Sequence, residues 1–204
     1  LSLLWILSGN TVVADELSFV GDEWPPWNMK PRAEFEGYFV DILRAIYQPL
    51  GYTVTYTIIP WSRALVEVKK GNYDGVIGPF KDEALGFVFP ESIIGKSRLS
   101  FFVRKGDSWT FEGIDSLEGK RIGIIQDYSY RPWLIKYRTE HPSYFLSITG
   151  DDASTRSLLL LIENRVDIIP ANAAATFFKA KLHGQLDAIQ LAGHDTIGKS
   201  KNLY

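Results

Sequence analysis

The sequence predicts an α/β protein of two similar lobes, on three observations. The first is an internal repeat. Residues 64–77, ALVEVKKGNYDGVI, are echoed by SLLLLIENRVDII at 157–169, so that Asp74 falls on Asp167, Val68 on Leu161, Leu65 on Leu158 and, just upstream, Arg63 on Arg156. The second is another echo, LSFVGDEWPPW (17–27) against IGIIQDYSYRPW (122–133), each an apolar strand, an Asp and a loop ending in Pro-Trp. The third is the alternation of strand-like and helix-like segments along the whole chain, which argues for mostly parallel sheets flanked by helices. Two halves of this kind leave a cleft between them, a common place to hold a small molecule.

The elements follow in order. Leu17–Gly21 is a short apolar strand. Gly37 opens a helix whose broad apolar face carries Tyr38, Val40, Ile42, Leu43, Ile46 and Leu50, with Gly51 at its end. Tyr52–Ile59 is β-branched and aromatic, hence a strand, and Pro60 stops it. Ser62 is read as the N-cap of a helix through Lys70. Gly71-Asn72 turns into a strand at Asp74–Gly78, and Leu99–Arg104 is another. The polar stretch Lys105-Gly106-Asp107-Ser108 reads as a crossing between lobes. The pattern then restarts. Leu117 lies in a short turn, Arg121–Gln126 is a strand, Arg131–Glu140 a helix and Tyr144–Ile148 a strand. Asp151 or Asp152 caps a helix reaching Asn164. Asp167–Pro170 is a strand, Asn172–His183 a helix and Asp187–Leu191 a strand.

Composition narrows the function. The chain has 204 residues, enough for one large domain or two small ones. A net charge of −2 gives no basic surface for nucleic acid. With no Cys, disulfides, thiolate metal sites and Cys nucleophiles are excluded. Leu1–Leu7 (LSLLWIL), followed by Val12-Val13-Ala14 before Asp15, reads as the apolar core and cleavage site of an export signal, so residues 1–14 are expected to be the remnant of a signal peptide. The run is too short to span a bilayer. At the other end, Lys201–Tyr204 begins an apolar alternation with nothing after it, which reads as a C-terminal part cut short.

Residues at strand ends are the candidates for chemistry, since ligands in open α/β sheets sit beyond the carboxyl ends of the strands. After the first strand, Trp24 and Trp27 stand in a loop stiffened by Pro25 and Pro26; they read as a ring platform for flat or cationic groups, or as the lid of the core. After the second, Trp61 is followed by Arg63 in a first helical turn, where a cation opposes the helix dipole; a grip on an anion or pairing with a neighbouring acid would each account for it. The third strand end brings Phe80 and Glu83, the fourth Asp127, Tyr128 and Ser129, and the fifth Asn172, which caps a helix, faces the cleft, or both. Enzyme signatures are lacking. The Gly113…Gly119-Lys120 segment has the wrong spacing for a phosphate loop, and no G-x-S-x-G elbow occurs. The three histidines lie far apart, without metal-ligand spacing.

The chain resembles the bacterial extracellular solute-binding proteins of family 3, the periplasmic polar amino-acid-binding type that serves ABC transporters. The resemblance rests on Pro25-Pro26-Trp27, Gly37-Tyr38-Phe39-Val40-Asp41-Ile42, Trp61, Gly71-Asn72-Tyr73-Asp74-Gly75, Phe89-Pro90, Leu117–Gly123 and Asn164-Arg165-Val166-Asp167. It implies a two-lobed, periplasmic-binding-protein-like (type II) fold joined by two crossing segments. Lobe 1 would hold residues 15–104 and 193–204, and lobe 2 residues 105–192. It also implies an exported, periplasmic monomer that is no enzyme and uses no cofactor or metal. Its partners would be a small-molecule solute and a membrane permease. A sensing domain of a membrane receptor and a dehydratase-like enzyme, with Asp127 or Glu83 as its acid or base, are the rival readings. The chain departs from the family at its charged anchors. No Arg occurs between Arg63 and Arg98, where the family holds the α-carboxylate, and Asn172 stands where an Asp holds the α-amine. Two charge-assisted contacts are worth about 1.5–3 kcal/mol each, so a standard α-amino acid is not the expected ligand.

Overall fold

The computed structural model describes residues 15–31, 35–126, 128–150 and 152–204. The signal-peptide reading of residues 1–14 and the assignments to Asp127 and Asp151 fall outside them. The first half runs β1 (Glu16–Gly21), α1 (Tyr38–Tyr47), β2 (Thr53–Ile58), α2 (Trp61–Lys69), β3 (Gly75–Val76), β4 (Gly95–Ser97) and β5 (Leu99–Arg104). The second runs β6 (Ile122–Ile125), α3 (Pro132–Glu140), β7 (Phe145–Ile148), α4 (Ala153–Ile162), β8 (Ile169–Asn172), α5 (Ala173–Leu182), β9 (Ile189–His194) and β10 (Lys201–Leu203).

Strands β2, β1 and β3 form a parallel sheet in that order. Its core gathers Phe39, Val40, Tyr56 and Ile77 with Leu203 of β10, which pairs antiparallel with β4. In the second sheet β6 pairs parallel with β7, and an Ile122–Ile168 bridge joins β6 to the strand leading into β8. Strand β5 lies antiparallel between β8 and β9, crossing a second half in which β6, β7 and the strand leading into β8 run parallel. One core cluster sits around Phe101, Ile122 and Leu134 and another around Phe102, Leu158 and Ile169. Successive side chains of β5 thus feed the two faces of one sheet, which explains its nearly continuous apolar sequence.

The pairing moves the expected crossing. The sequence places Leu99–Arg104 in the first lobe, but β5 pairs with β8 and β9 of the second half. Lys105-Gly106 is a turn at the far end of that sheet, where Lys105 N–H donates to Ala188 O and Gly106 N–H to the Gln190 side chain. The passages between the sheets run instead from β4 to β5 at Arg98 and from β9 to β10 through residues 195–200. Polarity marks the turn correctly; it carries no information about which sheet a strand joins. Ser62 is also displaced from its expected role. Helix α2 starts at Trp61, straight after Pro60, with no side-chain cap.

The sequence repeat has a structural meaning. Asp74 Oδ2 accepts from the backbone N–H of Ser18 at 2.7 Å, while its own N–H donates back to Ser18 O. Asp167 Oδ2 accepts from the backbone N–H of Arg121 at 2.9 Å, and its N–H donates to Arg121 O. Each Asp therefore clips the strand after its helix to the first strand of its own half. The Arg121 guanidinium holds the Asp167 carboxyl down to about 2, against an ordinary 3.8. A carboxylate depressed on folding contributes stability that is present above its unfolded value and lost as pH falls through the folded one. Asp167→Asn is expected to lower stability by about 2 kcal/mol at pH 7 and to flatten the loss between about pH 4 and pH 2. Urea unfolding across that range checks both.

Candidate functional site

A cavity opens between the two sheets, lined by residues of both. On the first side it begins with the loop after β1. Trp24 and Asn28 exchange backbone hydrogen bonds, and the buried Asn28 side chain donates to Asp22 O and to the Tyr56 hydroxyl, which fixes the loop from beneath. Gly37 at φ 109° lies against this loop, where any Cβ would collide with the Trp27 carbonyl. The Trp24 ring packs tilted against Trp27, centroids 4.4 Å apart, and meets the edge of Phe80 at 6.3 Å. Trp61 adds a further ring, and Asp22, Glu23 and Glu83 bring carboxyl groups.

The second side is built from the loop after β6 and from the starts of α4 and α5. Tyr128 O–H donates to Asp22 Oδ2 at 2.7 Å, directly across the cleft. Ser129 Oγ accepts from Lys201 Nζ at 3.0 Å, and the same ammonium reaches Asp82 at 2.6 Å and lies 4.7 Å over the Phe80 ring. Asn172 caps α5 by accepting from the N–H groups of Ala174 and Ala175, and donates to Ser97 Oγ at the end of β4 at 2.9 Å. Below it on α5 sit Thr176 and Lys179, both buried.

Burial sets the electrostatics. It raises the Asp22 carboxyl above its ordinary value, against the Tyr128 hydrogen bond, and raises Glu83 although the Phe80 N–H donates to it. Desolvation lowers the Lys179 ammonium in the same cleft. Lobe 1 thus offers rings and acids; lobe 2 offers hydroxyls and a buried cation.

Of the residues chosen from sequence, Trp24, Trp61, Phe80 and Glu83 line the first side, and Tyr128, Ser129 and Asn172 the second. Trp27 does not; it is 6% exposed and packs in the core behind Trp24. Arg63 is exposed and off the cavity. The helix explains why: Trp61 begins α2 facing the cleft, and two residues later the chain has turned about 200°, so Arg63 points away from it. Asp127 lies outside the described residues. Sequence reasoning missed Asp22, Lys179 and Lys201. Asp22 opens the same loop after β1 from which the sequence singles out Trp24 and Trp27. Lys179 was legible too, since Asn172, Thr176 and Lys179 follow i, i+4, i+7 spacing and share one helix face. Lys201 reaches the site only because the last strand pairs with β4.

Comparisons with known proteins agree with this architecture. An arginine-binding periplasmic protein of Mannheimia haemolytica is 26% identical over 200 residues, covering 92% of this chain and 76% of that one. A solved structure concerned with glutathione import in Gram-positive bacteria, by way of an ABC importer of Streptococcus mutans, superposes with a TM-score of 0.76 at 14% identity, covering 93% of this chain and 80% of that one. A histidine kinase sensor domain with similarity to periplasmic binding proteins superposes at 0.68 and 17% identity, covering 92% and 80%. Residues 18–193 match the family model, which spans both lobes, and the chain belongs to the bacterial extracellular solute-binding proteins, family 3.

Proposed function

We propose that this protein works outside the cytoplasm, closing on a small polar or aromatic solute that it passes to an ABC permease, and that it does no chemistry on that solute. One observation carries the reading: the two lobes line a single cavity, with Trp24, Trp61 and Phe80 on one wall and Tyr128, Ser129 and Asn172 on the other. A ligand touching both walls favours the closed form over the open one, which is how binding is coupled to closure. The ring faces suit a flat solute by stacking.

The solute we propose is not a standard α-amino acid. Asn172 spends its side chain on the α5 cap and on Ser97, and brings no charge to an ammonium. Of the cations lining the cavity, Arg131 pairs with Asp195 at 3.4 Å, Arg98 donates to the Asp195 carbonyl, and Lys179 stands on the second lobe rather than after the third strand, where the family holds an α-carboxylate. Lys201 is held by Asp82 and Ser129. A thermal-shift screen against amino acids, amines, organic acids and small peptides tests this. A ligand at 100 times its dissociation constant adds about 2.7 kcal/mol, which raises the melting temperature measurably. Non-amino-acid solutes are expected to give the largest shifts; the largest shifts from free α-amino acids would contradict the reading. Recovery of the bound compound chemically unchanged supports binding, and its conversion would support an enzyme. The similarity to a kinase sensor domain keeps sensing as the second reading, and solute uptake in vesicles carrying the permease separates the two.

A further inference from the structure

We infer that Lys179, with Ser154, forms a corner of the cleft that holds the carboxylate of an organic acid. The inference rests on the reading of the cleft as a solute site and names the chemistry of its ligand. Lys179 is 7% exposed and lines the cavity. Its Nζ donates to Ser154 Oγ at 2.5 Å, and among the described residues no carboxylate lies within ion-pair distance of it. An ammonium has three donors, so hydrogen-bonding capacity remains beyond the Ser154 contact. Glu23, Asp22 and Asp152 act on this charge only from beyond ion-pair distance, so a cation taken out of water with one hydrogen-bonded neutral partner gains further from an anion brought into direct contact.

The surroundings are arranged for that anion. Ser154 stands in the first turn of α4, a helix of ten residues whose positive end favours negative charge. Thr176, one turn before Lys179 on α5, lines the same cavity. One ammonium balances one negative charge, which fits a carboxylate better than a phosphate dianion. The opposite wall carries Asp22, Glu23 and Glu83, which repel an anion and turn it towards lobe 2. The rings of Trp24, Trp61 and Phe80 are then left for the body of the solute. The arrangement does not depend on Arg63, which is off the cavity, and it places the negative group on the second lobe.

The test is a titration, followed by thermal shift and calorimetry, of the full chain with phenylacetate, 3-phenylpropionate and succinate, each beside its primary amide, and with putrescine as a cation without a carboxylate. At least one carboxylate is expected to stabilise the protein, with its amide about 10–100-fold weaker. Lys179→Met keeps the length of the side chain and removes the charge; it is expected to abolish that preference, with Ser154→Ala reducing it and Arg63→Ala leaving it intact. Lys179→Gln, which keeps a polar tip at the Ser154 hydroxyl, guards against loss of fold in the Met variant. Amides or putrescine binding as tightly as the carboxylates would overturn the inference while leaving the solute-binding reading standing. So would a carboxylate dissociation constant unchanged in both Lys179 variants. Failure of every compound in this panel to bind overturns the inference, and failure of the broad screen as well overturns the reading on which it rests.

Discussion

Asp195→Ala is expected to destabilise the protein by about 3–5 kcal/mol, the cost of leaving a buried partner charge unpaired. Asp195 is 1% exposed and sits in the second passage between the lobes. Its Oδ1 accepts from the N–H groups of Ile197 and Gly198 at 2.9 and 3.1 Å, which shapes the turn into β10. Its Oδ2 faces Arg131 Nε and Trp133 Nε1, both at 3.4 Å, at the start of α3. One carboxylate therefore ties the crossing to the second lobe, and Gly198 is required beside it because a Cβ there would approach Oδ2 to 2.7 Å. Chemical denaturation at pH 7 measures the loss. Asp195→Asn keeps acceptors for the two backbone N–H groups but not the charge opposite Arg131, so it is expected to fall between the wild type and Asp195→Ala. Equal stability of all three would show that Arg131 is not dependent on this partner.

The second large effect is on affinity. Tyr128→Phe removes the hydroxyl that reaches Asp22 across the cleft at 2.7 Å. The bond joins the two lobes, and on the proposed reading separation of the lobes breaks it, so its loss is expected to fall on the closed form. Hydrogen bonds to a carboxyl group are worth about 1.5–3 kcal/mol where charge is involved, and Asp22 is left in the cleft without this donor. Affinity for a bound solute is expected to drop about 10–100-fold, with stability of the unliganded chain nearly unchanged. Isothermal titration of the two proteins with the tightest compound from the screen checks it. An affinity within about threefold of wild type would remove Tyr128 from the closing contact.

Much of this fold was legible because local chemistry and tertiary structure agree. The period of Tyr38–Tyr47, the β-branched run in β2 and the Asn172 cap each specify their element without outside help. The echo of Asp74 in Asp167 is legible as a repeat, while the strand clip that each forms is not. Strand membership was not legible. Ser97, Leu99 and Arg104 look alike whichever sheet they enter, and pairing partners for β5 come from residues 169–194, far along the chain. At the site, the rule that ligands sit beyond strand ends found seven of the lining residues. It failed for Arg63, because helical rotation decides where a first-turn side chain points, and for Trp27, because a large ring next to another is taken into the core. It did not reach Lys179, which enters the cleft from the second turn of a helix rather than from a strand end.

A crystal structure of the complex with the compound that gives the largest thermal shift tests the central claim most directly. The solute is expected between the lobes, in contact with the Trp24 ring on one side and with Tyr128 or Lys179 on the other. A solute seated on one lobe alone, or anywhere outside the cavity these residues enclose, would contradict it.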